Sequence, residues 1–90
     1  MLEKIKKMQG INHNDFNENI LMWINAAKLD LKNIGIADTK INNPDSLLQT
    51  AIITYALSFL DVSNAEMYSN SYFMQKNYLR HSSKYLVESE

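Results

Sequence analysis

Asn43-Pro44-Asp45-Ser46-Leu47-Leu48-Gln49-Thr50-Ala51-Ile52-Ile53-Thr54-Tyr55-Ala56-Leu57-Ser58-Phe59-Leu60-Asp61 carries no charged residue between Asp45 and Asp61. Wound at about 100° per residue, its apolar side chains point almost everywhere. Leu47, Leu48, Ala51, Ile52, Tyr55 and Phe59 cover one wide face, and Ile53, Ala56, Leu57 and Leu60 continue round the back. Only Thr50, Thr54 and Ser58 leave a narrow polar seam. A helix apolar nearly all round is buried in protein or in lipid. A membrane span needs about 20 mostly apolar residues, and this run is shorter and holds Gln49, two Thr and two Ser. The stretch therefore predicts a central helix wrapped by other helices, with no membrane partner.

Working outward, Asn43 is placed to cap this helix and Pro44 to open it, giving residues 44–60. Upstream, Asp15 and Glu18 have the spacing of a capping box. The helix they would open carries Phe16, Ile20, Trp23, Ala27, Leu31 and Ile34 on one narrow face. Gly35 ends it, with Ile36 folding back onto Leu31. Residues 2–9 fit a short helix stopped by Gly10, and residues 36–43 read as a loop. Downstream, Asn64 can cap a last helix with Glu66 in its first turn and Arg80 and Lys84 towards its end, the order the helix dipole favours. Residues 87–90 read as a frayed tail. The fold class is all-α: a small bundle of four helices, one short and three long, around the apolar central helix 44–60.

Ninety residues make one domain, 1–90, near the size that buries roughly 60–65% of its unfolded surface. Two Gly, one Pro and no alternating strand pattern argue against a β fold. The absence of Cys excludes disulfides and thiolate metal sites. Met1 to Lys7 alternates charged and apolar residues and has no continuous apolar segment, which points to use in a cytosol. A net charge of −1, from nine Lys/Arg against ten Asp/Glu, argues against tight non-specific binding of polyanions.

The last helix carries a surplus of apolar surface. Ala65, Tyr68, Tyr72, Leu79 and Leu86 form one stripe, and Met67, Met74, Tyr78 and Tyr85, with His81 beside them, form a second about 120° away. Two arrangements account for the second stripe. The helix could lie in a groove between two others, making both stripes core. Otherwise the second stripe, of a composition enriched in interfaces, meets another molecule. Met22 and Leu29, seven apart on the outer side of the second helix, are the complementary candidates. The candidate subunit interface is therefore Met67, Met74, Tyr78, His81 and Tyr85 against Met22 and Leu29.

Reactive chemistry finds no support. His13 and His81 sit in different elements with no carboxylate pattern for a metal. The two Gly, Gly10 and Gly35, build neither a phosphate loop nor a nucleophile turn. Asp15 and Asp45 are better placed to start helices than to act as general acids. No catalytic residue, cofactor site, metal site or small-molecule substrate is expected. About nine loop residues between the second and third helices are too many for a helix-turn-helix. Lys4, Lys6 and Lys7 form a small basic cluster, read as a solvated helix face, whose further reach is a weak, transient contact with DNA.

Over residues 2–86 the chain resembles the small head–tail connector (adaptor) family of tailed bacteriophages, also called DNA-packaging proteins. The resemblance rests on Leu2 to Met8 with Gly10-Ile11, and on Asp15 to Gly35 with Ile20, Trp23, Ile24-Asn25-Ala26-Ala27 and Leu31 to Gly35. It continues through Pro44 to Ile52, and through Tyr68 to Tyr72, Leu79-Arg80 and Tyr85. Many relatives end the central helix in aromatic and basic residues; here Phe59-Leu60-Asp61-Val62 stands instead, so a contact made by that basic end does not carry over.

The resemblance implies a structural role without catalysis. It implies a ring of about twelve copies under the portal protein, extending the DNA channel and meeting a downstream connector or tail protein. Such a protein works at the virion head–tail junction and passes through the host cytoplasm during assembly. The resemblance also implies that the tail, Tyr85 to Glu90, orders on the portal. A second reading from another class is a small helical partner-binding or regulatory module using the Met/Tyr stripe on a foreign helix.

Overall fold

Five α-helices follow one another along residues 1–87, the part of the chain that the structure, a computed structural model, describes. They are α1 (Leu2–Met8), α2 (Asn17–Asn33), α3 (Asp38–Asn42), α4 (Ser46–Leu60) and α5 (Ala65–Arg80), with a 3-10 turn, Val62–Asn64, leading into the last. The all-α bundle around an apolar central helix is the one the sequence implies, with one more short helix. Among the described residues the only extended pairing is an isolated antiparallel bridge between Ile36 and Leu86. No single helix among them is long and apolar enough to cross a membrane; α4 and α5 qualify only as a pair bent by 111°.

α4 is the axis of the core. Leu48, Ala51, Ile52, Ile53, Thr54, Ala56 and Leu57 are all buried, because α2 and α5 both pack along it. Each large aliphatic side chain enclosed this way contributes roughly 1.5–3 kcal/mol relative to an exposed one. The polar seam is satisfied where it enters the core: the Thr54 hydroxyl donates to Thr50 O at 2.7 Å and accepts from Gln75 Nε2 at 3.3 Å. α2 contributes Ile20, Ile24, Ala27 and Leu31, and α1 contributes Ile5, while Met8 stays exposed.

The end of α2 forms as the Gly35 signal requires. Gly35 takes φ +100, a left-handed conformation that a side chain disfavours. Its N–H donates to Lys32 O at 3.0 Å and that of Ile36 to Leu31 O at 3.2 Å, satisfying carbonyls the helix leaves open. Ile36 is thereby turned into the core.

Helix starts depart from expectation. α4 is capped by Asp45, whose Oδ1 accepts the Leu48 N–H at 3.0 Å; Asn43 instead closes α3. Pro44 stands outside α4, where its carbonyl accepts from Gln49 Nε2 at 2.9 Å. α2 begins at Asn17, and no side chain caps it. A turn closed by Asn17 N–H to Asn14 O, 3.2 Å, carries Asp15 away from the helix end. Its carboxylate lies 3.7 Å from His13 Nδ1 instead, so the Asp15–Glu18 capping box does not form. Phe16, expected on the core face, is exposed.

The segment read as a loop contains α3. Its five residues are too few to be helical alone. Docking of the buried Ile41 holds the turn, with its N–H on Ala37 O at 3.1 Å.

The largest correction concerns the chain after Arg80. Ser82 and Ser83 compete for backbone hydrogen bonds and favour turns, and the helix stops before them. The chain then runs back as a strap, with Ala37 N–H donating to Tyr85 O at 2.9 Å and Val87 N–H to Gly35 O at 2.8 Å. Tyr85 and Leu86 therefore belong to no helical stripe. Tyr85 is 3% exposed, and its hydroxyl donates to Asp45 Oδ2 at 2.7 Å. Apart from Val87, the tail expected to fray lies outside the described residues.

Asp45 thus starts α4 and holds the strap, with Lys84 Nζ 3.6 Å away. The Leu48 N–H first, the Tyr85 hydroxyl next and the Lys84 charge together outweigh burial and hold its carboxyl below the ordinary range. The Tyr85 hydroxyl is pushed up to about 12, by its bond to Asp45 and then by burial and the carboxylate's charge.

Asp45→Ala is expected to cost about 2–3 kcal/mol in urea unfolding, from removal of the cap and of a charged acceptor. Asp45→Asn keeps a capping side chain and costs less. The contribution of the ionised Asp45 is complete above the ordinary carboxylate pKa of about 4 and is lost as pH falls through its lowered folded value. Wild type and Asp45→Asn should therefore converge in acid. The Tyr85 contribution is complete below about pH 10 and lost as pH rises towards about 12; Tyr85→Phe should remove that alkaline decline.

Candidate subunit interface

A closed circuit of side chains sets how α2, α4 and α5 are rotated. Trp23 on α2 stacks on Phe59 of α4 at a centroid distance of 5.9 Å. Phe59 meets Tyr55 one turn earlier at 5.2 Å, and Tyr55 meets the edge of Tyr72 on α5 at 5.1 Å. The Tyr72 hydroxyl donates to Asp30 Oδ2 on α2 at 2.6 Å, and Lys76 Nζ lies 3.2 Å from the same oxygen. Burial first, and then the Asp30 carboxylate, hold the Tyr72 phenol protonated well above its ordinary range. Neither helix can turn about its axis without breaking this circuit.

The consequence is a fixed outward face on each helix. The molecule measures 47 × 24 × 18 Å along its principal axes, and its least dimension leaves room for about two helix diameters. With Tyr72 and Leu79 of α5 turned to the core, Met67, Met74 and Tyr78 point the other way. Met74 is 71% exposed and Tyr78 61%. With Ile20, Ile24, Ala27 and Leu31 of α2 turned to the core, Met22 and Leu29 are likewise more than half exposed. His81 is exposed at the cap of α5. Six of the seven residues singled out by pattern thus lie on the surface in two groups, one on each outer helix.

Tyr85 does not belong with them. The strap carries it inside the subunit, and its hydroxyl is engaged by Asp45. Of the basic cluster, Lys4 and Lys7 are exposed, but Lys6 is 5% exposed and its ammonium donates to Asn14 Oδ1 at 2.9 Å. Lys6 therefore faces no solvent-borne phosphate.

Leu47, half-buried, was not legible as a groove residue, because α4 is apolar on every side. It lines an open apolar groove of about 410 Å³ with Met74, Gln75 and Tyr78. Gln75 Nε2 donates to Ser71 Oγ at 3.1 Å and to Thr54 Oγ1, which holds the floor of the groove in place. Leu21, Phe73 and Val62 are further exposed apolar side chains. Phe73 alone had a signal, as an apolar residue outside both stripes of α5. Among the described residues no group of three or more His, Cys, Asp or Glu could hold a metal. What the arrangement offers is two exposed apolar faces, one on α2 and one on α5.

Comparison with known proteins gives one match. A family model described as phage connector protein covers residues 1–85. Searches of curated proteins and of solved structures return no match. The matched span takes in all five helices and the strap as far as Tyr85, and it agrees with the resemblance drawn from the sequence. The chain belongs to the phage connector protein family, a family of structural rather than enzymatic proteins.

Proposed function

We propose that this chain is the repeating subunit of a connector ring at the virion head–tail junction. There it sits under the portal, lengthens the DNA channel and receives the next connector or tail protein. The observation that carries the reading is the pair of outward apolar faces on α2 and α5. One lies on α2 and the other on α5, where Met74 and Tyr78 also border Leu47 of α4, so the two faces are different surfaces. A contact between unlike surfaces leaves one of each unpaired at every step, and it closes into a ring when the rotation permits. Exposed apolar patches of this kind mark contact sites. A net charge of −1 suits a conduit through which DNA slides, since few phosphates would be neutralised. Membership of the phage connector protein family supports contact with other phage head or tail proteins, and the resemblance drawn from the sequence suggests the portal on one side and a tail component on the other. Assembly would take place in the host cytoplasm.

Met74→Ser combined with Tyr78→Ser should abolish ring formation by native mass spectrometry or negative-stain imaging, in the presence of portal if the ring closes only there. Truncating two central anchors costs about 2–4 kcal/mol at each interface, while far-UV dichroism should stay unchanged. Loss of helicity would instead make these residues part of the subunit core. In a duplex-binding assay at low salt, Lys4→Gln with Lys7→Gln should weaken what binding exists, lowering the salt slope by about one unit for each phosphate no longer neutralised. Lys6→Met should leave that binding unchanged.

A further inference from the structure

α2 is stopped by Gly35, whose left-handed backbone ends the helix wherever the rest of the chain lies. α5 has no such stop. No Gly or Pro lies between Ala65 and Val87, and among the described residues none with a side chain takes a positive φ. The last turn closes with the N–H groups of His81 and Ser82 donating to Tyr78 O and Leu79 O, each at 3.2 Å. Ser82 and Ser83 weaken a helix only modestly. The apolar spacing, meanwhile, runs on past Arg80. Wound on at about 100° per residue, Tyr85 falls in line with Met67, Met74 and Tyr78, and Leu86 with Tyr72 and Leu79. What holds the chain off this course is contact with distant residues. The Tyr85 hydroxyl donates to Asp45 Oδ2, and Lys84 Nζ lies 3.6 Å from the same oxygen and 5.2 Å from the centre of the Tyr85 ring. Two backbone hydrogen bonds, to Gly35 and from Ala37, complete the tether.

We infer that residues 81–86 are a two-state element: a strap in the chain on its own, and a continuation of α5 once the strap is released. Release gives up the two bridging backbone bonds and the Tyr85–Asp45 bond, and each residue added to α5 makes one helical bond in return. In the helical state Leu86 continues the line of Tyr72 and Leu79. Tyr85 leaves the interior, where it is 3% exposed, and joins the outward face of α5, lengthening it by about 10 Å beyond Tyr78. The strap is therefore a latch that withholds one aromatic ring from that face. Whatever covers the face meets Tyr85 only in the helical state, so it binds that state better and draws the strap out. The latch follows from the fold of one chain and holds whether or not copies form a ring.

Two variants should release the latch in different ways. Tyr85→Ala removes the buried ring and puts the best helix former in its place. Ser82→Ala with Ser83→Ala raises helix propensity and leaves Tyr85 and its bond to Asp45 intact. Each should raise the far-UV helical signal by about six residues' worth, and Cα chemical shifts at residues 82–86 should move from their strap values to helical ones. A reversible lock supplies the control, since the chain has no Cys of its own. Ile36 and Leu86 face each other in the antiparallel bridge as a pair not hydrogen-bonded to one another, the closer kind of cross-strand pair and one a disulfide can span. Ile36→Cys and Leu86→Cys added to the double serine variant should hold residues 82–86 as a strap when oxidised and let them become helical when reduced. Strap or random-coil shifts at 82–86 in both unlocked variants would overturn the inference. So would the same shifts in the oxidised and reduced forms of the locked protein.

Discussion

The need to cover α4 on every side governs the rest of the molecule. A fifteen-residue helix with seven buried positions spread around its circumference cannot be enclosed by one neighbour. α2 and α5 both lie along it, and short pieces add to the same core: α1 through Ile5, α3 through Ile41, and the strap through Tyr85. In a layer only 18 Å thick no third shell covers the enclosing helices. Their inner faces are consumed by α4 and their outer faces meet solvent. The Trp23–Phe59–Tyr55–Tyr72–Asp30 circuit then fixes which side chains those outer faces present.

Long elements with one dominant period were legible in the sequence. The apolar run from Leu47 to Leu60 gave the central helix, and the Ile20–Ala27–Leu31 spacing with Gly35 gave α2 and its end to the residue. What was not legible depends on contacts between residues far apart. Asp45 prevails over Asn43 as the cap because it also receives the Tyr85 hydroxyl from forty positions away. α3 exists because Ile41 has a core to enter. Tyr85 continued the helical stripe by number, yet Ser82 and Ser83 end the helix and the strap turns that ring inwards. Lys6 shares a short helix with Lys4 and Lys7, and only the docking of α1 buries it.

The candidate interface was partly legible for the same reason. Met67, Met74 and Tyr78 could be read from pattern, since one stripe sufficed for the core and α5 carried two. Leu47 could not, because on a helix apolar all round no periodicity marks a position that is only partly covered. A connector subunit has an evident use for such a plan. Its core needs one buried rod, and in the proposed ring its two flanking rods would meet neighbours while its near-neutral charge would leave passing DNA weakly held.

The central claim is that the outer faces of α2 and α5 are covered in the assembled state. Oxidative footprinting of methionine tests it most directly, because exposed thioethers oxidise readily and the chain supplies its own control. Met8 is exposed on α1, which carries neither face, while Met22, Met67 and Met74 lie on them. In the dilute chain all four should oxidise; in the assembled particle Met22, Met67 and Met74 should be protected while Met8 still reacts. Equal oxidation of Met22, Met67 and Met74 in both states would contradict the account.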